Sequence, residues 1–433
     1  MFEIMTKLNL RLFDNTQTTL LADLSAEMKT YYEKQLIRNA EPALVYDRFG
    51  DKYPIPKNGG KTIEFRKYDP LPKALTKITE GVTPSGNKLK VTIITATVDQ
   101  YGDYIEISDV LELTAIDRNL EESTMLLGSQ SGRTRDTIVR EIVCAGTNKS
   151  FTPSVDGTTI TPILLRKDVT KKCKLRPKDV REMVAKLKRM NANPMEDGYF
   201  VAVIHPDVSC DIQDDKEWQE SHKYAEPENL YNGEIGRIGK VKFVESTEAK
   251  IIGPKWIFGN AESNGVCRLH VHESEAAGST AIKVKEAISA AQATEFNARI
   301  TGGETIYLYF NKVRMAITSV TAGAAGAGYF TVAATAAALS ADDIICGDGA
   351  GADGSAIYCT MVFGAHAYGI TEVNGGGLQH IVKPLGSAGA ADPLNQRATS
   401  GWKCLMVVER LVEAYMGRIE HSSEVYGAEA VSN

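Results

Sequence analysis

Hydrophobic residues recur at helical spacing over one long segment, residues 116–146. Leu120, Leu127, Ile138 and Ile142 fall near one face of a helix. Small residues in the middle permit close approach of another backbone or mark a bend, namely Gly128, Ser129, Ser131 and Gly132. The pattern predicts one helix of roughly 45 Å with other elements attached at both ends. The charged residues of the segment are predicted to lie away from that face, namely Glu121, Glu122, Arg133, Arg135, Arg140 and Glu141.

The chain before this helix predicts two elements that need a partner. Residues 1–50 begin polar and continue into an amphipathic helix over Leu21–Asn39 that has little of its own to pack against. Residues 61–68 and 88–107 are β-rich and predict two antiparallel strands joined by an extended charged loop. Such an arm would be roughly 33 Å long, with open edges. We expect it to lie on another molecule.

An α/β pattern follows the long helix. An apolar stripe behind Pro177 predicts a helix, and the continuous apolar run Tyr199–Ile204 predicts a central strand that Pro206 ends. A polar helical stretch around Trp218 precedes an alternating strand at Lys240–Glu245.

Composition changes between about residues 259 and 356, where Ala, Gly and Thr dominate, and a small β-rich insertion is predicted there. Later strands are predicted on both sides of a long loop at Gly386–Gly401, and the tail Ser422–Asn433 is expected to fray. The predicted strands from the insertion onward are Val266–His272, Thr305–Phe310, Val313–Val320, Phe330–Val332, Tyr358–Gly364, Leu378–Pro384, Trp402–Leu411 and Ala414–Glu420.

Composition narrows the class of protein. The 433 residues are 43% hydrophobic and 24% charged, as in ordinary globular proteins. A formal net charge of −6 argues against a surface that grips nucleic acid. The sequence contains no run of 18 apolar residues, which is the pattern that would predict a membrane span. The first residues lack a signal-peptide pattern. The seven cysteines contain no CxxC pair, which predicts reduced, mostly buried thiols in a cytosolic product.

No motif predicts catalysis or a cofactor. Gly59-Gly60-Lys61-Thr62 resembles the end of a phosphate-binding loop, but Ile55 stands where its first glycine belongs and a strand follows. Gly233, Gly236 and Gly239 do not form GxGxxG, so a tight backbone approach is preferred there. GxSxG and HExxH are absent.

One grouping has metal-ligand character. Cys267, His270 and His272 form CxxHxH, and the two histidines would share one strand face. A fourth ligand is not evident, so an ordinary strand is preferred. We therefore predict no catalytic, cofactor or metal site.

Four stretches, in their order along the chain, carry a resemblance. They are DGYFVAVIHPDV (Asp197–Val208), NGEIGRIGKVKFVES (Asn232–Ser246), FGAHAYGI (Phe363–Ile370) and IVKPLGSAGAADPLNQRATSGWK (Ile381–Lys403). Together with the order of the predicted elements, they make the chain resemble a tailed-phage major capsid protein of the Hong Kong 97-like fold. The resemblance covers roughly residues 15–258 and 357–425.

The resemblance implies an α+β fold with named parts. These are an N-terminal arm (1–50), a β-hairpin E-loop (51–107), a peripheral domain with the spine helix (108–175), an axial domain (176–258 and 357–375), a β-rich insertion (259–356), and peripheral strands with a C-terminal tail (376–433).

The function that the resemblance implies is assembly. Copies would form pentamers and hexamers of an icosahedral head around double-stranded DNA, with portal and scaffold or decoration proteins as partners and no membrane. The protein would be made in the host bacterial cytoplasm and reside in the virion. Basic clusters at Arg166–Arg176 and Arg181–Arg189 would form a solvated face or touch packaged DNA weakly. The alternatives are an encapsulin-like nanocompartment shell and a cytosolic α/β enzyme.

Some proteins of this fold crosslink neighbours through a Lys–Asn isopeptide bond. The hairpin offers Lys73, Lys77, Lys88 and Lys90, and the late loop offers Asn395. No motif fixes such a pair, so solvated residues in ion pairs at most are preferred.

Overall fold

The computed structural model describes most of the chain after residue 43. The described residues are 44–68, 71, 73–75, 77, 80–81, 86–114, 119–222, 234–259, 265–311, 313–335, 337–349, 351–373, 377–383, 385–387, 392–424 and 432–433. The predicted helix Leu21–Asn39 lies outside them, as does Gly233. The chain divides into a first unit, residues 1–139 with 368–411, and a second unit, residues 140–367 with 412–433.

The helices and strands confirm the α+β class. The described α-helices are α1 Tyr46–Phe49, α2 Asp109–Thr114, α3 Asn119–Cys144, α4 Pro177–Arg189, α5 Pro206–Gln213, α6 Lys216–His222 and α7 Ala290–Thr301. Short 3-10 turns lie at Arg166–Asp168, Ala352–Gly354 and Glu413–Tyr415.

The strands form three larger sheets and two two-stranded ones. They are β1 Asp51–Lys52, β2 Thr62–Tyr68, β3 Val91–Thr97, β4 Asp99–Ser108, β5 Lys149–Phe151, β6 Ser154–Asp156, β7 Thr159–Thr161, β8 Phe200–Ile204, β9 Glu234–Ile238, β10 Val241–Glu245, β11 Ile251–Ile252, β12 Arg268–His270, β13 Ala281–Lys283, β14 Tyr307–Phe310, β15 Val313–Thr321, β16 Tyr329–Val332, β17 Ile344–Gly347, β18 Ile357–Phe363, β19 Tyr368–Glu372, β20 Gln379–Lys383, β21 Arg397–Arg410 and β22 Met416–His421.

The first unit is built on the long strand β21, which pairs with β4, β19 and β20, while β1 adds to β19. The predicted loop Gly386–Gly401 is wrong at its end, because β21 already begins at Arg397. Its residues Arg397–Met406 pair with Ser108–Asp99, so a partner strand far away in sequence extends the regular structure.

The predicted long helix is confirmed as α3, whose 26 residues span about 39 Å. The prediction for its buried face is wrong in part, because Arg135 and Arg140 are 6% and 2% exposed. Arg135 donates to the carboxylates of Asp47 and Glu372. Arg140 donates to the backbone oxygen of Glu248 at 2.7 Å. Hydrophobic periodicity cannot predict that a cation is buried when its neutralising partners are distant in sequence.

Asp136 fixes the chain that precedes β1. Its Oδ1 accepts backbone hydrogen bonds from Val45 (2.9 Å), Tyr46 (2.7 Å) and Asp47 (3.2 Å), and so caps the one-turn helix α1. Burial raises the pKa of the Asp136 carboxyl to about 7, and this effect outweighs the three hydrogen bonds that favour the anion.

The second unit has a seven-stranded sheet in the order β5-β22-β18-β8-β10-β9, with β11 paired to β18. The predicted helix behind Pro177 is confirmed as α4, and its residues Val180, Met183 and Leu187 are buried. This helix lies close against the sheet, because a Cβ added at Gly417 of β22 would meet the sulfur of Met183 at 2.3 Å. The strand at Tyr199–Ile204 is confirmed as β8, which is buried throughout.

The insertion has a six-stranded sheet in the order β12-β17-β14-β15-β16-β13 and its own aromatic core of Phe258, Phe296, Phe310 and Phe330. Its β-rich character is confirmed, but helix α7 was not predicted. Ser289 and Gln292 form a capping box at its start, and this Ser-x-x-Gln spacing was the available sequence signal.

The expected fraying of the tail is wrong at the residues that the structure describes. Ser422 and Ser423 are fully buried, and the Ser422 hydroxyl donates to the Ala356 carbonyl at 2.9 Å. Asn433 donates from its side-chain amide to the Ala249 carbonyl at 2.9 Å. Side-chain hydrogen bonds therefore anchor the described tail residues in the second unit.

All seven cysteines are free thiols, as predicted. Six are buried, and Cys210 on α5 is exposed. Burial raises the pKa of Cys404 to about 11 and that of Cys144 to about 12, which keeps both protonated and unreactive at neutral pH.

Candidate assembly surfaces

The hairpin of β2 and β3 carries exposed apolar side chains. The two strands pair from Thr62↔Thr97 to Tyr68↔Val91, over seven residue pairs and about 23 Å. No third strand joins them in the described part of the chain. A two-stranded ribbon of this kind is marginal in water without a further surface.

The hairpin is shorter than the arm of roughly 33 Å that the sequence predicted. The β-rich run 88–107 was predicted as one strand, but it divides at Val98, whose amide donates to the Lys61 carbonyl at the base of the hairpin. Residues beyond that point, in β4, pair with β21 and leave the hairpin. Both strands are rich in β-forming residues, so the composition does not show the change of partner.

Exposed hydrophobic side chains are concentrated on the hairpin and its tip. Leu75 is 83% exposed and Leu89 71%. On the strands, Tyr68 is 60% exposed and Ile93 55%. In the middle of β2, Phe65 is half-buried and forms an edge-to-face pair with Tyr53, at 5.3 Å between ring centres. Tyr53 thus supports the hairpin at Phe65, and the exposed residues nearer the tip present a surface suited to a partner.

A groove of about 800 Å³ lies in the first unit along β4, β20 and β21. Exposed Tyr104 and Ile381 provide apolar walls. Trp402 donates from its indole nitrogen to Gln130 at 3.1 Å, and Gln130 donates to Asp103 at 2.6 Å. The groove thus combines apolar walls with a hydrogen-bonded Trp402 and Asp103, and a groove of this kind can bind an apolar segment.

The residues singled out from sequence for chemistry do not assemble into a reactive site. Lys61 is followed by strand β2, which begins at Thr62, whereas a phosphate-binding loop requires a helix at that point. Gly239 has φ +59° in the turn between β9 and β10, and a Cβ there would meet nothing within 4 Å. Conformational freedom in a turn, and not a close backbone approach, explains this glycine.

The Cys267, His270 and His272 grouping is divided by the pleat of the sheet. Cys267 is buried, whereas His270 is half exposed and its Nδ1 lies 2.6 Å from a carboxylate oxygen of Glu286. Among the residues that the structure describes, no three His, Cys, Asp or Glu side chains are grouped closely enough to hold a metal ion. In the same residues, no helix is long and apolar enough to cross a membrane.

The candidates for a crosslink lie on exposed segments. Lys73, Lys77, Lys88 and Lys90 are exposed on the hairpin. Asn395 has φ +54°, in the turn region before β21. Their positions leave the crosslink as a hypothesis.

Comparison with known proteins gives structural similarities only. No family model matches the chain, and no curated protein matches it. The capsid structure of Cyanophage P-SCSP1u is similar over 88% of this chain and 89% of that one, with 12% identity and a TM-score of 0.48. The Cyanophage Pam1 capsid is similar over 84% and 86%, with 14% identity and a TM-score of 0.47.

A virus-like particle from Pyrococcus furiosus is also similar, over 91% of this chain and 99% of that one, with 7% identity and a TM-score of 0.39. At these identities and TM-scores the similarities assign no function. The proposal below therefore rests on the residues and geometry of this chain.

Proposed function

We propose that this chain is the major capsid protein of an icosahedral phage head and has the Hong Kong 97-like fold. The observation that carries the proposal is the uncovered hairpin of β2 and β3 with its exposed Leu75, Leu89 and Ile93. A two-stranded ribbon with such residues finds stabilising contacts on other molecules, and a shell provides the same neighbour to every copy.

The proposed mechanism is assembly through many modest contacts. Burying one large aliphatic side chain of the hairpin contributes about 1.5–3 kcal/mol. The groove beside Tyr104 and Ile381 offers a neighbouring hairpin an apolar surface of matching character. Single contacts of this strength let subunits correct their placement, and the closed lattice makes the sum of the contacts large.

The parts of the fold are proposed as follows. Residues 1–50 form the N-terminal arm, 51–107 the E-loop, 108–175 and 376–433 the peripheral domain with the spine helix and tail, 176–258 and 357–375 the axial domain, and 259–356 the insertion. The net charge of −6 supports only weak, non-specific contact with packaged DNA. Portal and scaffold or decoration proteins complete the proposed set of partners, the proposed place of action is the virion, and no enzymatic role is proposed.

Electron microscopy of the purified recombinant protein tests this function directly. We expect closed polyhedral particles, because each copy can bury the exposed hydrophobic side chains of its hairpin on a neighbouring copy. Light scattering at high protein concentration that shows only monomers or small oligomers would contradict the proposal and favour the enzyme alternative. Particles from infected cells that hold a protein cargo and no DNA would favour the nanocompartment alternative.

The insertion is expected to be dispensable for assembly. The Lys255 amide donates to the Asp348 carbonyl at 3.0 Å, so the chain enters and leaves the insertion at one place. Among its described residues, no large hydrophobic side chain is exposed. Deleting residues 256–347 with a short Gly-Ser linker should preserve particle formation, as judged by electron microscopy. Loss of particles from a deletion variant that still folds would show that the insertion is needed for assembly.

A further inference from the structure

Residues 147–190 form a basic stretch of this acidic chain. They contain twelve Lys and Arg against four Asp and Glu and so carry a net charge of +8, whereas the whole chain has −6. The remainder of the chain therefore has a net charge of −14. Attraction between the second unit and a polyanion is thus expected to come from this stretch.

A groove of about 340 Å³ collects part of this charge on one surface of the second unit. Its walls come from two elements that lie beside strand β22. Strand β5 pairs with β22 along Lys149–Phe151, and helix α4 packs against Gly417 of β22 through Met183. Phe151 and Met183 both line the groove. Strand β22 therefore holds side chains from two separate parts of the basic stretch at one place.

The charges that line the groove do not cancel. They are four cations and two carboxylates, namely Arg176, Lys178, Lys186, Arg189, Asp179 and Glu182. Arg176 pairs with Asp179 at 2.8 Å, and Lys178 lies 3.8 Å from Glu182. In the described part of the chain, Lys186 and Arg189 have no carboxylate within ion-pair distance. The groove therefore presents two uncompensated cations.

A third uncompensated cation lies beside the groove. The Nζ of Lys149 is 5.7 Å from the centre of the Phe151 ring, which is part of the lining. Lys149 is exposed, and no carboxylate of the described residues lies within ion-pair distance of it. The dipole of α4 accounts for cations in its last turn, but it does not account for a cation on a neighbouring strand. The three cations together indicate a site for an anionic partner.

The exposure of these side chains favours a partner with many charges. A single exposed ion pair contributes about 0–1 kcal/mol, so a small anion would gain little here. Duplex DNA has one negative charge per about 1.7 Å of its axis and releases counterions from each phosphate that a cation neutralises. An acidic protein segment would also need apolar surface to bury, and Ile160 is the one exposed apolar side chain among those that line the groove. The groove therefore fits the backbone of nucleic acid better than a protein.

We propose that phosphate groups of packaged double-stranded DNA contact this groove through Lys149, Lys186 and Arg189. The inference rests on the proposed shell function and assigns its weak, non-specific DNA contact to one surface. Phosphate contacts position a protein on the duplex without reading its bases, so every stretch of the genome is an equivalent partner. In a closed shell the groove would face the interior, and weak contacts from many copies would add along one genome.

Neutralising the three cations tests the contact. The groove variant is Lys149→Gln/Lys186→Gln/Arg189→Gln. Binding of a fluorescent 20-base-pair duplex to unassembled full-length subunits is measured by anisotropy from about 50 to 200 mM salt. The loss of three phosphate contacts is expected to lower the affinity about tenfold or more at low salt. It should also reduce the slope of log affinity against log salt concentration by about 2–3.

The control variant is Lys283→Gln/Lys285→Gln/Arg299→Gln in the insertion. It changes the net charge by the same amount, at cations that are paired with carboxylates and do not line the groove. Its DNA binding should match that of the unmodified chain, and circular dichroism melting confirms that each subunit folds. If the groove variant does not fold, Lys186→Gln and Arg189→Gln are measured singly, and each should reduce the salt slope by about 1.

The outcomes separate the inference from the proposed function. Unchanged DNA binding by the groove variant, or an equal loss in the control variant, would overturn the inference while the unmodified chain still forms particles. A groove variant that binds DNA normally but no longer assembles would assign the groove to a contact between proteins and also overturn the inference. Absence of particles from the unmodified chain would overturn the proposed function, and the measurement on unassembled subunits would still show whether the groove binds DNA.

Discussion

Deleting Lys67–Leu89 is expected to leave a folded subunit that no longer forms large particles. The deletion removes Leu75 and Leu89, the most exposed hydrophobic residues of the hairpin, together with its tip. Arg66 pairs with Ile93, so the shortened hairpin would turn over residues 90–92 and keep its base. The core of the second unit contains none of the deleted residues, and its unfolding transition should persist. Electron microscopy and circular dichroism measure the two effects.

A full-length variant separates the loss of apolar surface from the loss of length. Leu75→Ser/Leu89→Ser/Ile93→Thr keeps every residue position and removes the apolar side chains, and it should also abolish most particles. The matched control, Thr92→Ser/Thr95→Ser, alters exposed polar positions of the same strand and should assemble normally. Normal shells from the deletion variant would contradict the role assigned to the hairpin.

Replacing Glu420 with Ala is expected to produce the largest loss of subunit stability. The Glu420 side chain is fully buried, and Arg166 donates two hydrogen bonds to it, at 2.6 and 2.7 Å. Arg418 donates a further one at 2.9 Å. Removing the carboxylate leaves two guanidinium groups without their counter-charge, which costs about 3–5 kcal/mol in comparable buried pairs. Urea unfolding at pH 7 measures the free energy of unfolding.

The pH dependence of this contribution follows from the pKa of Glu420. Burial alone would raise it, but the hydrogen bonds and charge of Arg166, together with the charge of Arg418, hold the pKa below its ordinary value. A carboxyl whose pKa is lower in the folded state stabilises that state above its unfolded pKa of about 4.3, and the stabilisation is lost as the pH falls below that value. The difference between the unmodified chain and Glu420→Ala should therefore shrink from pH 7 to pH 3.

The matched control is Glu424→Ala. Glu424 and Lys174 form an ion pair at 2.7 Å in which both side chains are exposed. Such pairs contribute about 0–1 kcal/mol, so this substitution should change the free energy of unfolding little. Equal losses in the free energy of unfolding from the two substitutions would contradict the large stabilisation expected from the Arg166–Glu420–Arg418 cluster.

The sequence predicted the elements whose pattern is local. Period-3.6 spacing placed α3 and α4, and a continuous apolar run placed β8. His205 precedes Pro206 after β8, and its Nδ1 accepts the Asp207 amide at 3.2 Å and so caps α5. A residue that ends a strand before Pro thus begins the next helix.

Features that depend on distant residues were not predicted. The burial of Arg135 depends on Asp47 and Glu372, which lie 88 and 237 residues away in the chain. The division of the run 88–107 at Val98 depends on β21, which lies about three hundred residues later. For the candidate surfaces, the sequence predicted that the hairpin needs a partner. It did not predict the groove beside Tyr104, because strands from separate parts of the chain form its walls.

The distribution of the thiols allows the subunit to be labelled at one position. Cys210 is the one exposed cysteine of the seven, and the other six are shielded within the fold. A maleimide reagent would therefore attach a single dye or affinity tag to each subunit without any engineered substitution. In a closed particle such tags would repeat with the symmetry of the lattice, and their spacing would report how subunits are arranged.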